Sequence, residues 1–414
     1  MPAMTRRERV LASINHQETD RVPICFCGLA CASILSSPPK FPLAEKLYDR
    51  VGLTDYETPL PAPYMNIVIN VDPRLVERFH SDMLLVLPEI QFPFPEEDGS
   101  LTWPWMFGLR VKQIGLYGEV CEFPLKNVTD IEALDDYPWW PDPENEPPLA
   151  PPHKIEEIKN LYETTDYFIC ADTLTNAYPF NGYALLAGMD RWMIDMKLRP
   201  RFYHSLAERM LEITLKRHDE FFSQVGPYLD GVTVYDDLGT QTNTFFSIKD
   251  YREFVKPYTA RIVKGIRKHL RPEAKIFIHS CGSIHDFIPD LAEIGIDVIN
   301  PVQPLAAKMD PRLLKAEFGR DVCFLGGFDA QKLLPFATKD EIRLAVKKLL
   351  AEFAPGGGFI FAAAHNIEAD IEPDNIIAMF DAAHEYGRYP TPESDGIGYL
   401  DFIKGLDLSG REIV

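Results

Sequence analysis

The sequence has few basic residues for its length. Its 414 residues include 62 acidic and 42 basic side chains, and the formal net charge is −20. A surface this acidic repels nucleic-acid phosphates and anionic membranes, so we expect neither as a partner. Uncharged apolar runs of about 18 residues, the length that spans a bilayer, are also missing. Because no apolar signal core follows the basic residues near the start, the sequence favours a cytoplasmic protein.

The sequence also has few cysteines, and their number and spacing do not indicate disulfides. The seven cysteines are an odd number spread over a large acidic chain, which is typical of free thiols in a reducing compartment. Cys25, Cys27 and Cys31 form a cluster, but their spacing is not the Cys-x₂-Cys of common zinc modules. A strand lined with small residues explains this cluster better than a metal module does.

The sequence does have a regular alternation of short apolar runs and amphipathic stretches. Its 46% apolar content is enough for one large core. The alternation predicts parallel βα units, and eight such units would close a TIM barrel. The predicted strands are 22–27, 168–172, 231–235, 275–279, 297–301, 322–327 and 358–363, with an eighth in 66–70 or 83–87. The predicted helices include 199–224, 248–269, 284–294, 339–353 and 372–386.

The stretch from about residue 93 to residue 152 interrupts this alternation. It is rich in tryptophan, proline and acidic residues, and proline cannot donate the hydrogen bonds of a strand ladder. We therefore expect one domain, residues 1–414, in which this insertion forms a loop or cap over the barrel and residues 99–125 form a small β-hairpin. The candidates for the cap are Trp103, Trp105, Trp139 and Trp140.

A histidine and a cysteine follow one of the predicted strands. His279 and Cys281 are two residues apart, and residues i and i+2 of an extended chain project to the same side. The apolar run 358–364 brings His365 to the end of another strand. Three histidine or cysteine ligands with one open position are typical of catalytic zinc, so we predict a zinc site. The alternative is that the buried cysteine only fills apolar space.

Further polar side chains follow other predicted strands. Catalytic groups of a TIM barrel come from the carboxyl ends of several strands, so these residues predict one active site at that rim. We assign catalysis to Asp236, Asp237 and His365. Asp236 or Asp237 could also be a fourth ligand or fix an imidazole tautomer. Cofactor binding is assigned to Asn300, Gln303 and Asp329. The alternative for the acids is that they cap the following helices.

Several motifs resemble the uroporphyrinogen decarboxylase superfamily, which includes cobalamin-linked methyltransferases. The resemblance covers most of the chain, and it implies a TIM barrel and a homodimer. The motifs are Arg7–His16, Asp20–Pro23, Asp236–Gln241, His279–Gly282, Gly326–Asp329, His365–Ile367 and Glu372–Asn375.

The resemblance is divided between two branches of that superfamily. In the methyltransferase branch a His-x-Cys pair, similar to His279 and Cys281, holds zinc together with a later cysteine. Here the later position is His365, as in the decarboxylase branch. The decarboxylase branch also uses an arginine-rich N-terminal segment, whereas residues 22–34 contain no arginine. Asp82 resembles the decarboxylase acid that contacts the pyrrole nitrogens. The alternative for Asp82 is an acid that enters a strand near the barrel wall.

The ligand set favours one reaction class. Replacing a thiolate with His365 leaves zinc a stronger Lewis acid, which favours cleaving a bond from carbon to oxygen or nitrogen. We therefore predict a zinc-dependent methyltransferase that demethylates a small methylated or methoxylated substrate. The methyl group would pass to a corrinoid on a partner protein, or to a thiol.

Two other functions stay open. One is a metal-free decarboxylase with His365 near the leaving carboxylate, which zinc content would distinguish. The other is a non-catalytic protein that binds a small ligand in the barrel mouth. In that case Cys281→Ser would leave ligand affinity nearly unchanged.

Overall fold

The computed structural model describes most of the chain, in nine segments. They are residues 3–30, 32–37, 42–62, 67–89, 96–103, 107–114, 117–141, 146–173 and 179–408. Cys31, Asn66 and Trp105 lie outside the described residues, as do residues 93–95 of the insertion.

Seven of the ten described strands form one parallel sheet. The strands are β1 (Met83–Val86), β2 (Ser100–Trp103), β3 (Leu109–Ile114), β4 (Tyr117–Glu122), β5 (Phe168–Asp172), β6 (Gly231–Tyr235), β7 (Lys275–His279), β8 (Val298–Val302), β9 (Cys323–Phe328) and β10 (Phe359–Ala363). The order across the large sheet is β1-β5-β6-β7-β8-β9-β10. Strands β5, β8, β9 and β10 are buried along their whole length, because helices cover a parallel sheet on its faces.

Residues 22–27 connect the two edges of this sheet. Ile24 forms a parallel bridge with Phe361 of β10, and its carbonyl accepts a 2.8 Å hydrogen bond from the N–H of Asp82, next to β1. A regular strand does not form here, because Pro23 has no N–H and the N–H of Ile24 donates to the Asp82 carboxylate instead. The predicted parallel α/β architecture is confirmed, with seven regular strands among the described residues.

Helices of varied length surround the sheet. They are α1 (Arg6–Ile14), α2 (Leu43–Arg50), α3 (Pro73–Arg78), α4 (Pro152–Thr164), α5 (Asn181–Ala187), α6 (Met189–Leu198), α7 (Pro200–Val225), α8 (Ile248–Asp250), α9 (Lys256–Arg267), α10 (Ile288–Glu293), α11 (Pro311–Phe318), α12 (Leu333–Phe336), α13 (Lys339–Phe353), α14 (Pro373–Tyr386) and α15 (Tyr399–Gly405). Helix α13 has the predicted bounds because Thr338 and Glu341 form a capping box at its start.

Two further observations apply to the described residues as a whole. None of their helices combines the length and the apolarity that crossing a membrane requires. None of their six cysteines forms a disulfide; Cys121 is exposed, Cys281 is partly exposed and the other four are buried.

The insertion contains an antiparallel sheet of three strands, β2-β3-β4, where a hairpin was expected. Trp103 packs with Leu109 and Val111 in a small core of its own. The segment that follows attaches to the helices after β5: the N–H of Leu125 donates to the carbonyl of Leu186 at 2.9 Å. Its position as a cap over the barrel stays a prediction.

Candidate functional site

The register of β6, β7 and β8 places three side chains in one row. Tyr235 is the register partner of His279, and His279 is the partner of Asn300. Register partners in a parallel sheet project to the same face. The Nδ1 of His279 lies 3.1 Å from the Oδ1 of Asn300, and the ring centroids of His279 and Tyr235 are 5.4 Å apart. These neighbours fix the orientation of the buried imidazole.

The structure brings His279, Cys281 and His365 together at this row. Their ligand atoms all lie within 4.8 Å of one another. The Sγ of Cys281 is 3.4 Å from the Nε2 of His279, and the two imidazole centroids are 5.5 Å apart. His365 reaches this point from the end of β10, three strands away from β7 in the sheet. The predicted meeting of these three side chains is therefore present.

Both imidazoles are uncharged at neutral pH, which is the protonation state that binds a metal. Because Asn300 Oδ1 accepts from Nδ1–H of His279, the Nε2 lone pair of His279 points toward Cys281. Burial lowers the pKa of His279. Burial and the neighbouring His279 together lower the pKa of His365 to about 4. Neither ring has to lose a proton at neutral pH before it binds a metal.

The donor set fits zinc in type and approximate spacing. Tetrahedral zinc with bonds of about 2.0–2.3 Å needs ligand atoms roughly 3.3–3.8 Å apart. The separation of 3.4 Å between Cys281 Sγ and His279 Nε2 meets this requirement. A pair at the 4.8 Å limit of the set would have to approach by about 1.3–1.5 Å, which rotation of a side chain can supply.

Asp237 and Gly282 hold Cys281 in position. The Oδ1 of Asp237 accepts a 2.8 Å hydrogen bond from the N–H of Cys281 and lies 3.8 Å from His279 Nε2. Gly282 has a φ of +79°, and a Cβ there would lie 2.6 Å from the carbonyl oxygen of Thr240. Only glycine allows this close approach of the two loops. Asp237 thus binds the backbone of one candidate ligand, Cys281, and lies close to the imidazole of a second, His279.

The acids Asp236 and Asp329 contact helix starts. Asp236 accepts a 2.8 Å hydrogen bond from the N–H of Asn181, and burial raises its pKa to about 8. Asp329 accepts from the N–H groups of Lys332 and Leu333, and burial raises its pKa as well. The alternative interpretation, that these acids cap the following helices, fits Asp329 and α12, whereas Asp236 contacts the start of α5, which precedes it in the chain. The assigned roles of both acids in catalysis and cofactor binding stay predictions.

A cavity of about 220 Å³ opens beside the candidate ligands. Its lining includes Cys281, His365, Gln303 and Asp329. The Oε1 of Gln303 accepts from the N–H of Gly282 at 3.0 Å, so this amide also supports the loop after β7. Four of the residues predicted for the site therefore surround one small space.

Sequence reasoning missed Tyr235, Asp172 and Asn366. The hydroxyl of Tyr235 donates to the carboxylate of Asp172, the last residue of β5. Tyr235 and Asp172 end their strands, as His279 does, and this shared position was the signal that could have found them. Asn366 directly follows His365 and lines the cavity.

Asp82 lies at the opposite end of the sheet. It precedes β1, whereas His279 ends β7 and Cys281 and His365 follow β7 and β10. Its buried carboxylate accepts from Nη1 of Arg9 at 2.6 Å and from Nη1 of Arg21 at 2.7 Å. The structure thus supports the alternative for Asp82, an acid that enters a strand at the barrel wall, rather than a substrate contact.

Relatives of this chain carry decarboxylase names. The uroporphyrinogen decarboxylase of Psychromonas ingrahamii is 28% identical over 189 residues, which are 45% of this chain and 49% of that relative. The uroporphyrinogen decarboxylase of Ruthia magnifica is 23% identical over 361 residues, which are 84% of this chain and 92% of that relative.

A solved structure and a family model complete the comparison. The structure is described as a methyltransferase from Methanosarcina mazei. It matches with a TM-score of 0.61 and 16% identity over 93% of this chain and 99% of that chain, which shows a shared fold. The family model described as uroporphyrinogen decarboxylase (URO-D) matches residues 178–386, half of the chain, and this region includes His279, Cys281 and His365. The chain therefore belongs to the uroporphyrinogen decarboxylase family.

Proposed function

We propose that this protein is a zinc-dependent methyltransferase that demethylates a small methylated or methoxylated compound. The methyl group would pass to a corrinoid on a partner protein, or to a thiol. One observation carries the proposal: the ligand atoms of His279, Cys281 and His365 lie within 4.8 Å of one another at the carboxyl end of the sheet. Three such donors beside an open cavity are typical of a catalytic rather than a structural zinc site.

His279, Cys281 and His365 would hold the ion, which supplies a Lewis acid that polarises a substrate oxygen or nitrogen. The other residues position this set. Asn300 orients His279, and Asp237 holds the backbone of Cys281. The Asp237 side chain is 40% exposed, so it reaches solvent while it lies next to the site.

The identity of the ligands favours this reaction class. A set with one thiolate and two neutral imidazoles donates less negative charge than a set with two thiolates. It therefore supports polarisation of a methylated oxygen or nitrogen better than it supports formation of a nucleophilic thiolate. This difference in charge comes from His365, because the resemblance places a cysteine at that position in the methyltransferase branch.

Metal-free decarboxylation is the second candidate, favoured by the names of the relatives and by His365. Two features oppose it. The Asp82 carboxylate forms ion pairs with Arg9 and Arg21 at the far end of the sheet. Residues 22–34 contain no arginine that could hold substrate carboxylates.

Several expectations about architecture and partners belong to the same proposal. We infer that residues 22–27 complete an eight-unit TIM barrel, because they hydrogen-bond to both edges of the sheet. The insertion at 93–152 would cap its mouth. A corrinoid protein as partner, a homodimer and a cytoplasmic location remain predictions.

Metal content and methyl transfer test the proposal together. Purified protein supplied with zinc should retain about one ion per chain, the stoichiometry of a single ligand set. It should also transfer methyl groups to cob(I)alamin from some member of a panel of methylated and methoxylated compounds. Cys281→Ser should lower both readouts strongly. Cys121→Ser is the matched control, because Cys121 is exposed and lies in β4, outside the site.

Three results would contradict the proposal. Protein without stoichiometric zinc that releases carbon dioxide from a carboxylated substrate would establish the decarboxylase. Equal zinc content in the two cysteine variants would remove Cys281 from the metal site. Ligand binding that survives Cys281→Ser without any turnover would indicate a binding protein.

A further inference from the structure

The segment that carries Cys281 lies beyond the regular sheet. The register of β7 with β6 ends at the pair His279 and Tyr235, and its register with β8 ends at the pair His279 and Asn300. Residues 280–283 therefore belong to no strand, although the candidate ligand Cys281 is one of them. An enclosed backbone N–H needs an acceptor also where the strands end. The contacts that position Cys281 must come from the loops beside it.

All four backbone N–H groups of residues 280–283 donate to neighbouring loops. In chain order, their acceptors are the carbonyl of Asn300, the carboxylate of Asp237, the amide oxygen of Gln303 and the carbonyl of Thr240, at 2.7, 2.8, 3.0 and 2.8 Å. Two of these acceptors are side chains, and their donors are the N–H groups of Cys281 and Gly282. The side chain of Asp237 is 40% exposed, and Gln303 is partly exposed. Such side chains hold a loop in place only where they are fixed themselves.

Ser280 fixes the backbone from which Asp237 reaches Cys281. Its Oγ accepts a 3.0 Å hydrogen bond from the N–H of Leu238. Ser280 is fully buried and Leu238 is 1% exposed, so this bond is shielded from competition with water. The neighbour Cys281 donates in the opposite direction, to Asp237, which precedes Leu238. This crossed pair of hydrogen bonds joins the loops after β6 and β7.

Gln241 supports the second side-chain acceptor at the rim of the site. Its Nε2 donates to the Oε1 of Gln303 at 2.8 Å, and the same oxygen accepts from the N–H of Gly282. Two donors on one oxygen fix the orientation of the Gln303 amide. Gln241 is exposed, so this contact competes with water and is weaker than the buried contact of Ser280.

We propose that Ser280 and Gln241 are positioning residues that hold Cys281 where it can bind the metal. The inference rests on the proposed function and adds two residues to its site. Ser280 acts through the crossed pair of hydrogen bonds, and Gln241 acts through Gln303. Neither side chain is a metal ligand or a catalytic residue.

Ser280→Ala tests the buried contact. The variant leaves the N–H of Leu238 without its acceptor, so zinc affinity, measured by competition with a chelator, should fall about tenfold, the lower end of the effect of a lost supporting partner. Ser81→Ala is the matched control at the amino end of the sheet. Ser81 is also fully buried, and its Oγ accepts from the N–H of Phe26 at 3.1 Å. Its removal should lower stability but leave zinc affinity unchanged.

Gln241→Met tests the contact at the rim. Methionine keeps the length of the side chain and removes the donor, so zinc affinity should fall about two- to threefold. The position is exposed, so this variant should fold whatever the effect of Ser280→Ala. Gln17→Met is the matched control, because Gln17 is exposed and lies against Gly357, near the amino end of β10.

Cobalt(II) distinguishes positioning from a general loss of stability. It binds the same types of donor as zinc, and a thiolate bound to it gives a charge-transfer absorption. At saturating cobalt, Ser280→Ala should have a weaker band than the wild type, because Cys281 no longer reaches the metal in every molecule. Ser81→Ala should have the band of the wild type. A purely structural role of Ser280 would leave the spectrum of the folded, loaded protein unchanged.

Hydrogen exchange tests the inference without any metal. In the metal-free full chain, a peptide covering residues 279–284 should exchange its amide hydrogens about three- to tenfold faster in Ser280→Ala, because the loop opens more often. A peptide covering β9 is the internal reference and should not change. Ser81→Ala should leave exchange in residues 279–284 as it is in the wild type.

The outcomes separate this inference from the proposed function. If the wild type binds zinc and folded Ser280→Ala equals it in zinc affinity, cobalt spectrum and exchange, the role of Ser280 is overturned while the metal site stands. An equal loss of zinc affinity in Ser81→Ala also overturns it. Equal affinities in Gln241→Met and Gln17→Met overturn the role of Gln241. Wild-type protein that binds neither metal removes the proposed function. In that case faster exchange in Ser280→Ala still supports the role of Ser280, and unchanged exchange overturns it.

Discussion

Polar side chains at the two ends of the sheet differ in the partners that they have. At the amino ends of the strands, Asp82, Asp230 and Asp297 each directly precede a strand, and each forms an ion pair with one or two arginines. At the carboxyl ends, Asn300 Nδ2 and Asn366 Oδ1 are buried with no protein partner among the described residues. Asp236 is buried there with backbone donors, and desolvation raises its pKa to about 8.

This difference separates stability from function. Paired buried charges are costly to break, so the amino end fixes how strands, α1 and the connecting segments meet. Neutral imidazoles and unpaired amides contribute less to stability, but they remain available to a metal or a substrate. The three predictions below test whether the two ends divide their roles in this way.

The largest effect is expected from Asp82→Ala. The substitution leaves Arg9 and Arg21 buried without their shared carboxylate, so the free energy of unfolding should fall by about 3–5 kcal/mol. Urea unfolding measures this change. The zinc content of each folded chain should stay the same, because Asp82 lies at the other end of the sheet from the candidate ligands.

Asp55→Ala is the control for this prediction. Asp55 pairs with Arg74, but its side chain is 84% exposed, so its removal should change stability little. Equal losses of stability in Asp82→Ala and Asp55→Ala would show that burial of the ion pairs at Asp82 does not increase their contribution to stability.

A smaller effect is expected from Asn300→Ala. The variant removes the acceptor that holds His279 Nδ1–H, and loss of such an orienting partner typically lowers metal affinity about 10- to 100-fold. Competition with a zinc chelator measures the affinity. Asn375→Ala is the matched control, because this buried amide donates to the backbone carbonyls of Leu334 and Ala337 instead. Equal zinc affinity in the two variants would refute the orienting role of Asn300.

The smallest change in stability is expected when the pH is lowered. In metal-free protein the pKa of His365 is about 4, because of burial and of His279, whereas an unfolded histidine has a pKa of about 6.5. The unfolded chain therefore binds its proton first, and the free energy of unfolding falls as the pH decreases through this window. We expect a loss on the order of 1–2 kcal/mol by pH 5.

Asp20, which pairs with Arg9 at the amino end, should respond only at lower pH. Burial opposes ionisation of Asp20, but its hydrogen bond with Arg9 prevails and lowers its pKa to about 2. Its contribution to stability is therefore lost only as the pH falls below about 4. Urea unfolding at a series of pH values compares the wild type with His365→Asn. Parallel losses of stability in both proteins between pH 6.5 and pH 5 would contradict the assignment to His365.

The predicted strands 168–172, 231–235 and 275–279 coincide with β5, β6 and β7. Continuous apolar runs with turn residues at both ends define such strands locally. The strand predicted at 22–27 has one bridge, because Pro23 and the Asp82 carboxylate interrupt the ladder. The sequence of that segment contains the proline but gives no sign of the distant carboxylate.

The candidate site was predicted in part. His279 and Cys281 are neighbours on an extended chain, so their convergence needs only local geometry. His365 joins them only if β7 and β10 belong to one curved sheet, an assumption that the alternation of strands and helices supported. Tyr235 was missed because an aromatic residue at a strand end resembles an ordinary core residue. Asp82 was ambiguous because a sequence match does not fix at which end of a strand an acid lies.

The sequence by itself determined the parallel α/β class and the pair His279 and Cys281, because periodicity and i,i+2 geometry act over a few residues. Only the tertiary structure decided that Asp237 contacts the backbone of Cys281 while Asp236 contacts a helix start. It alone also gave the cavity its lack of positive charge among the described lining residues. Burial and electrostatic environment depend on groups that are distant in the chain, and local patterns of residues carry no information about those groups.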